Sequence, residues 1–102
     1  MISFLFSLLP VARRSKPEVM IMYFGRASEF LMMTSERMAM PDEPCTLGQM
    51  LGNLRSRGER WAYELDESQM LCTVNGKAAS LSEVLETGAE IGLFSQKSLY
   101  AI

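Results

Sequence analysis

The sequence predicts a mixed α+β domain in which one main helix covers a mixed sheet of four to five strands. Three observations carry this. Two apolar runs of strand length, "VMIMYFG" from Val19 and "EIGLF" from Glu90, stand near the two ends. Between them the stretch from Thr46 has the cap and the spacing of an amphipathic helix. Asn75-Gly76 then divides two extended runs, which is a strong short-range hairpin signal.

Taken in order, "VMIMYFG" is apolar throughout and ends in glycine, as expected of a strand buried on both faces. Farther along "ASEFLMMTSERMAM", Met38 and Met40 alternate with Arg37 and Ala39, the pattern of a half-exposed strand. "PDEP" at 41–44 is a turn. Thr46 and Gln49 form a capping-box pair, and Leu47, Met50, Leu51 and Leu54 fall on one helical stripe. Arg55 and Arg57 suit the helix's negative end, and Gly58 is the expected stop. "ERWAYELDES" adds a short helix with Trp61 and Leu65 on one face. "MLCTVNGKAASL" is the hairpin, "SEVLETGAE" a short helical turn, and "EIGLF" the last strand, where Gly92 permits close approach of another backbone. The last apolar run belongs beside the first in the protected centre of the sheet, which is a β-grasp arrangement.

With 102 residues, 48% of them apolar, the chain is long enough for one domain with its own core. Its net charge of −2 argues against a nucleic-acid partner bound through bulk positive charge. The charge is uneven: residues 1–18 set Arg13, Arg14 and Lys16 against Glu18, whereas residues 19–102 carry 7 basic and 11 acidic groups. A basic partner surface would suit the acidic part, but simple solubility is the favoured reading of it.

Histidine is absent, so Ser/His and Cys/His catalytic sets are excluded. Cys45 and Cys72 show no metal-binding spacing and read as reduced, buried residues of a cytoplasmic protein. The acidic pairs Asp42/Glu43 and Asp66/Glu67 lie in polar, turn-like stretches and read as solvated surface. No phosphate loop is visible, no cofactor is expected, and the chain is not expected to be an independent enzyme.

Residues 1–18 stand apart from the domain at 19–102. Met1–Leu9 is apolar apart from two serines, and the positive charges come after it. It is too short to span a membrane, and a secretory signal has the opposite order of charge and apolar run. No stable membrane insertion is therefore expected. Three readings stand: a short amphipathic anchor, a segment packing on the domain or on a second chain, or sequence upstream of a start at Met20 or Met22.

Several motifs together resemble the small subunit of molybdopterin synthase and the related thiamin sulfur carriers, which share the ubiquitin-like β-grasp fold. "VMIMYFGRASEFL" is similar to that family's first strand and corner, with Phe24, Gly25 and Arg26 at the corner. "CTLGQMLGNLRSRG" resembles its helix, "TVNGKAASL" its hairpin, and "LETGAEIGLFSQKS" its ending. The resemblance covers residues 19–98. It implies a non-catalytic subunit that works with a protein partner, either a synthase large subunit or an activating enzyme. It also marks Phe24 and Arg26 at the corner, and Lys97, Ser98, Leu99, Tyr100, Ala101 and Ile102 in the tail, as partner-binding residues.

The ending departs from the family pattern. The family closes with Gly-Gly, whose carboxylate is adenylated and thiolated. Here the last residues are Ser98-Leu99-Tyr100-Ala101-Ile102, and no two glycines are adjacent anywhere in the chain. A tail in a narrow channel needs bare backbone, which Leu99 and Tyr100 do not offer. The expectation is a partner-binding module without sulfur transfer. An active sulfur carrier for molybdenum cofactor or thiamin synthesis is the alternative. The methionines crowding residues 20–40 leave a homo-oligomer as a further reading. The apolar tail reads either as an anchor or as a segment packing back on its own domain.

Overall fold

The computed structural model describes residues 17–41 and 43–96. β1 (Glu18–Phe24) leads into a short helix α1 (Arg26–Leu31), followed by β2 (Ser35–Ala39). The main helix α2 (Leu47–Arg55) is followed by α3 (Glu59–Glu64) and a 3-10 turn at Glu67–Gln69. β3 (Met70–Val74), β4 (Lys77–Ala78) and β5 (Glu90–Ser95) complete the chain. The strands form one five-stranded sheet in the order β2-β1-β5-β3-β4. β1 and β5 are parallel in the centre, with Ile21 opposite Ile91 and Phe24 opposite Phe94. The remaining pairs are antiparallel.

Local chemistry explains the elements that the sequence marks most clearly. Thr46 accepts from the Gln49 backbone N–H at 3.1 Å, and the Gln49 side chain accepts from the Thr46 N–H at 2.8 Å. This reciprocal box satisfies two otherwise orphan donors at the start of α2. Leu47, Met50, Leu51 and Leu54 are buried along one stripe, as their spacing predicts. Asn75 and Gly76 both have positive φ, 53° and 85°, as the tight hairpin turn between β3 and β4 requires. The Asn75 carboxamide also accepts from the Glu90 N–H at 2.9 Å, tying the turn to β5.

The core lies between one face of the sheet and the helices. Val19, Ile21, Tyr23, Ile91, Leu93 and Cys72 meet Leu47, Met50, Leu51 and Leu54 there. Both cysteines are free and buried, and burial, followed by the nearby Glu67 charge, pushes the Cys72 thiol up.

Three sequence expectations are corrected. β1 is buried on one face only, because Met20 and Met22 alternate with its buried residues and point to the face away from the helices. β1 begins at Glu18, and Pro17 extends the ladder by accepting from the Met40 N–H at 3.0 Å. The stretch after Gly25, for which the sequence predicted no element, is a short helix, α1, and α3 is the short helix expected within "ERWAYELDES". Gly58 does not end α2, which closes at Ser56 by bonds to the carbonyls of Gly52, Asn53 and Leu54; Gly58 instead precedes α3. "SEVLETGAE" forms no helix. Its segment donates and accepts across space instead: Leu85 N–H to Cys45 O, Leu47 N–H to Glu83 O, and Gly48 N–H to Leu81 O, each at 2.8 Å. Those long-range bonds and the Thr46–Val84 bridge hold the segment extended against the start of α2.

Candidate functional site

The sequence-predicted corner sits where β1 passes into α1, and its two residues go different ways. Arg26 turns inward. Its Nε donates to Glu64 Oε1 at 2.9 Å and its Nη2 to Glu64 Oε2 at 3.3 Å, a bidentate pair with 14% and 4% of the side chains exposed. The guanidinium also lies over the Phe30 ring, 4.4 Å from its centroid, and 5.9 Å from that of Tyr63. Arg26 thus fastens α1 to α3.

Phe24 turns outward. It is 38% exposed and stacks on Phe94 of β5, with ring centroids 4.5 Å apart and planes within 8° of parallel. The parallel register makes this contact, because Phe24 and Phe94 are direct partners. Beside Phe94 in the next strand lies Leu71, 43% exposed. One row nearer the strand starts, Met22, Gly92 and Thr73 are partners on the same face.

Gly92 makes this arrangement sterically feasible. A Cβ built there would lie 2.5 Å from Thr73 Oγ1, 3.2 Å from the Phe94 ring and 3.4 Å from the Phe24 ring. The two rings lean over the vacant position, so the close approach that the sequence suggested for backbone is made by side chains. The outcome is a compact apolar patch of Phe24, Phe94, Leu71 and Met22 on the face away from the helices. It lies at the end of β5 from which the chain continues toward residue 97. The tail residues Lys97, Ser98, Leu99, Tyr100, Ala101 and Ile102 lie outside the described residues, as do residues 1–16 and Asp42.

Sequence reasoning named Phe24 but missed Phe94, Leu71 and Met22 as its neighbours. Alternation in β3 and β5 places Leu71 and Phe94 opposite Cys72 and Leu93, and would have found them once the parallel pairing was drawn. Asp66 is engaged locally: its carboxylate accepts from the Ser68 N–H at 3.0 Å and the Ser68 hydroxyl at 2.9 Å, capping the 3-10 turn. Among the described residues no cluster of His, Cys, Asp and Glu has the makings of a metal site, and no helix is long and apolar enough to cross a membrane.

An open mixed sheet with antiparallel flanks and parallel central strands, grasping one main helix, is the ubiquitin-like β-grasp fold. No family model matches the sequence, and no curated relative matches it. Solved structures do. Haloferax volcanii small archaeal modifier protein 1 is 22% identical, with a TM-score of 0.68 over 79% of this chain and 99% of that one. A Pyrococcus furiosus protein assigned as molybdopterin converting factor, subunit 1 is 24% identical, with a TM-score of 0.67 over 79% and 99%. The Haloferax volcanii HVO 2177 protein is 17% identical, with a TM-score of 0.69 over 82% and 87%. At these identities the likeness is one of fold.

Proposed function

We propose that this chain is a non-catalytic β-grasp protein that acts by docking on a protein partner, without carrying sulfur. The observation that carries the reading is the open apolar patch of Phe24, Phe94, Leu71 and Met22. Aromatic and aliphatic residues that can be fully desolvated dominate interface energetics, and this patch lies at the end of β5. Arg26 supports the corner from beneath rather than reaching the partner itself. Two neighbours in fold, a modifier protein and a converting-factor subunit, are compatible with a small subunit that works through other proteins. No two glycines are adjacent in the sequence, and Leu99 and Tyr100 put bulky side chains in the stretch after β5, which speaks against a thioacid-bearing tail there.

The test is titration calorimetry of the full chain against a synthase large subunit and against an activating enzyme. Binding is expected with one of them, and Phe94→Asp is expected to abolish it while circular dichroism is unchanged. Binding unaffected by Phe94→Asp, or none to either protein, would count against the docking face. A sulfur carrier is the second reading, and the same two neighbours favour it. In that case the chain would be a co-substrate of its partner.

A further inference from the structure

The sheet ends on β2, and the outer side of that strand pairs with nothing among the described residues. The opposite edge is β4, only 2 residues long. The bonds to β1 decide which groups of β2 are free. The Met40 N–H donates to Pro17 O at 3.0 Å and the Tyr23 N–H to Thr34 O at 2.9 Å, so Thr34 and Met40 turn their backbone groups toward β1. By alternation Glu36 and Met38 do the same, while Ser35, Arg37 and Ala39 present N–H and C=O outward. An edge with unmet donors and acceptors is a template for a further strand.

We propose that this further strand is β2 of a second copy, paired antiparallel about a two-fold axis at Met38, so that the two sheets become one. The register follows from charge. Outward residues must stand opposite outward residues, so an axis near the middle of β2 falls at Glu36, Arg37 or Met38. At Arg37 two guanidinium groups would oppose each other, and at Glu36 two carboxylates, and like charges directly opposite are unfavourable.

At Met38 the charges complement. Arg37 then stands opposite Ala39 of the second copy, and the two exchange both backbone bonds. Behind Ala39 in the ladder is its β1 partner, Glu18. Ala39 offers only a methyl group, so the Arg37 side chain passes over it toward Glu18 of the second copy, two strand spacings or about 10 Å away between backbones. Within one chain neither Arg37 nor Glu18 has an ion pair among the described residues. The two-fold axis makes each of these contacts twice. On the helix side of the sheet the half-buried Met38 meets its own copy. The patch of Phe24, Phe94, Leu71 and Met22 stays open, so this contact neither needs nor blocks docking there.

The experiment is analytical ultracentrifugation of the full chain over a range of concentrations. A reversible monomer–dimer equilibrium is expected, and a weak one, because an edge contact is small. Arg37→Glu turns both attractive pairs repulsive and should weaken dimerisation by about tenfold or more. Arg37→Glu combined with Glu18→Arg should restore it. Ala39→Pro removes an outward N–H that β1 does not use, and should abolish the dimer while circular dichroism is unchanged. A chain that is monomeric at every concentration would overturn the proposal. So would a dimer indifferent to Ala39→Pro, or a charge-reversed double variant that associates no better than Arg37→Glu alone.

Discussion

The Tyr23 hydroxyl donates to Glu36 Oε2 at 2.6 Å, joining β1 to β2 on the core side of the sheet. Arg57, beyond the end of α2, donates to both oxygens of the same carboxylate at 2.8 and 3.1 Å and lies over the Trp61 ring, 4.6 Å from its centroid. Trp61 in turn meets Tyr23 edge-on at 5.9 Å. Four side chains from two strands and the helical layer thus close a ring of contacts. Tyr23→Phe removes one charge-assisted bond while Arg57 still holds Glu36, so a loss of about 1–2 kcal/mol is expected in urea unfolding.

Glu36 also sets an acid limb of stability. Burial acts to raise its pKa, but the Arg57 and Tyr23 hydrogen bonds and the Arg57 charge outweigh it and hold the carboxyl below its usual value. A carboxyl depressed in the folded state contributes stability at pH above its unfolded pKa and loses it as pH falls through the folded one. Glu36→Gln is therefore expected to be less stable than wild type at neutral pH, with the gap narrowing as pH falls into the acid range. Tyr23 is shifted the other way: burial, then its bond to Glu36, raises it, so its contribution is present below the ordinary tyrosine pKa and declines only above it.

Arg26 and Glu64 form the most enclosed ion pair among the described residues. Arg26→Ala strands a carboxylate that is 4% exposed, and a loss of about 3–5 kcal/mol is expected. Arg26→Leu with Glu64→Leu should cost less than Arg26→Ala alone, since neither partner is then left charged and buried. Thermal unfolding of the single and double variants measures the coupling.

At Gly92 the expected fault is steric. Gly92→Ala forces its new methyl group against Thr73 Oγ1, with the two stacked rings close behind, and should cost about 1–3 kcal/mol. Adding Thr73→Ala removes the nearest obstacle and should recover part of the loss. Strictly additive effects in denaturant titrations would show that the crowding lies elsewhere.

The parts legible in the sequence are those that local chemistry decides. The Thr46–Gln49 box, the Asn75-Gly76 turn and the Leu47–Leu54 stripe need only near neighbours, and all are present. The central pairing of β1 with β5 followed from their apolar runs. What escaped depends on distant partners. α1 is too short for periodicity and is fastened by Arg26 to Glu64, 38 residues away. The stretch before β5 reads as helical by composition, yet its bonds go to Cys45, Leu47 and Gly48. An apolar run like "VMIMYFG" also does not distinguish a covered face from an open one, so the patch around Phe24 emerged only with the register of the sheet.

Whether the C-terminal carboxylate takes up sulfur is decided most directly by intact mass spectrometry of the full chain after incubation with an activating enzyme, ATP and a sulfur donor. An unchanged mass is the result this account predicts; replacement of one oxygen by sulfur at Ile102 would contradict it.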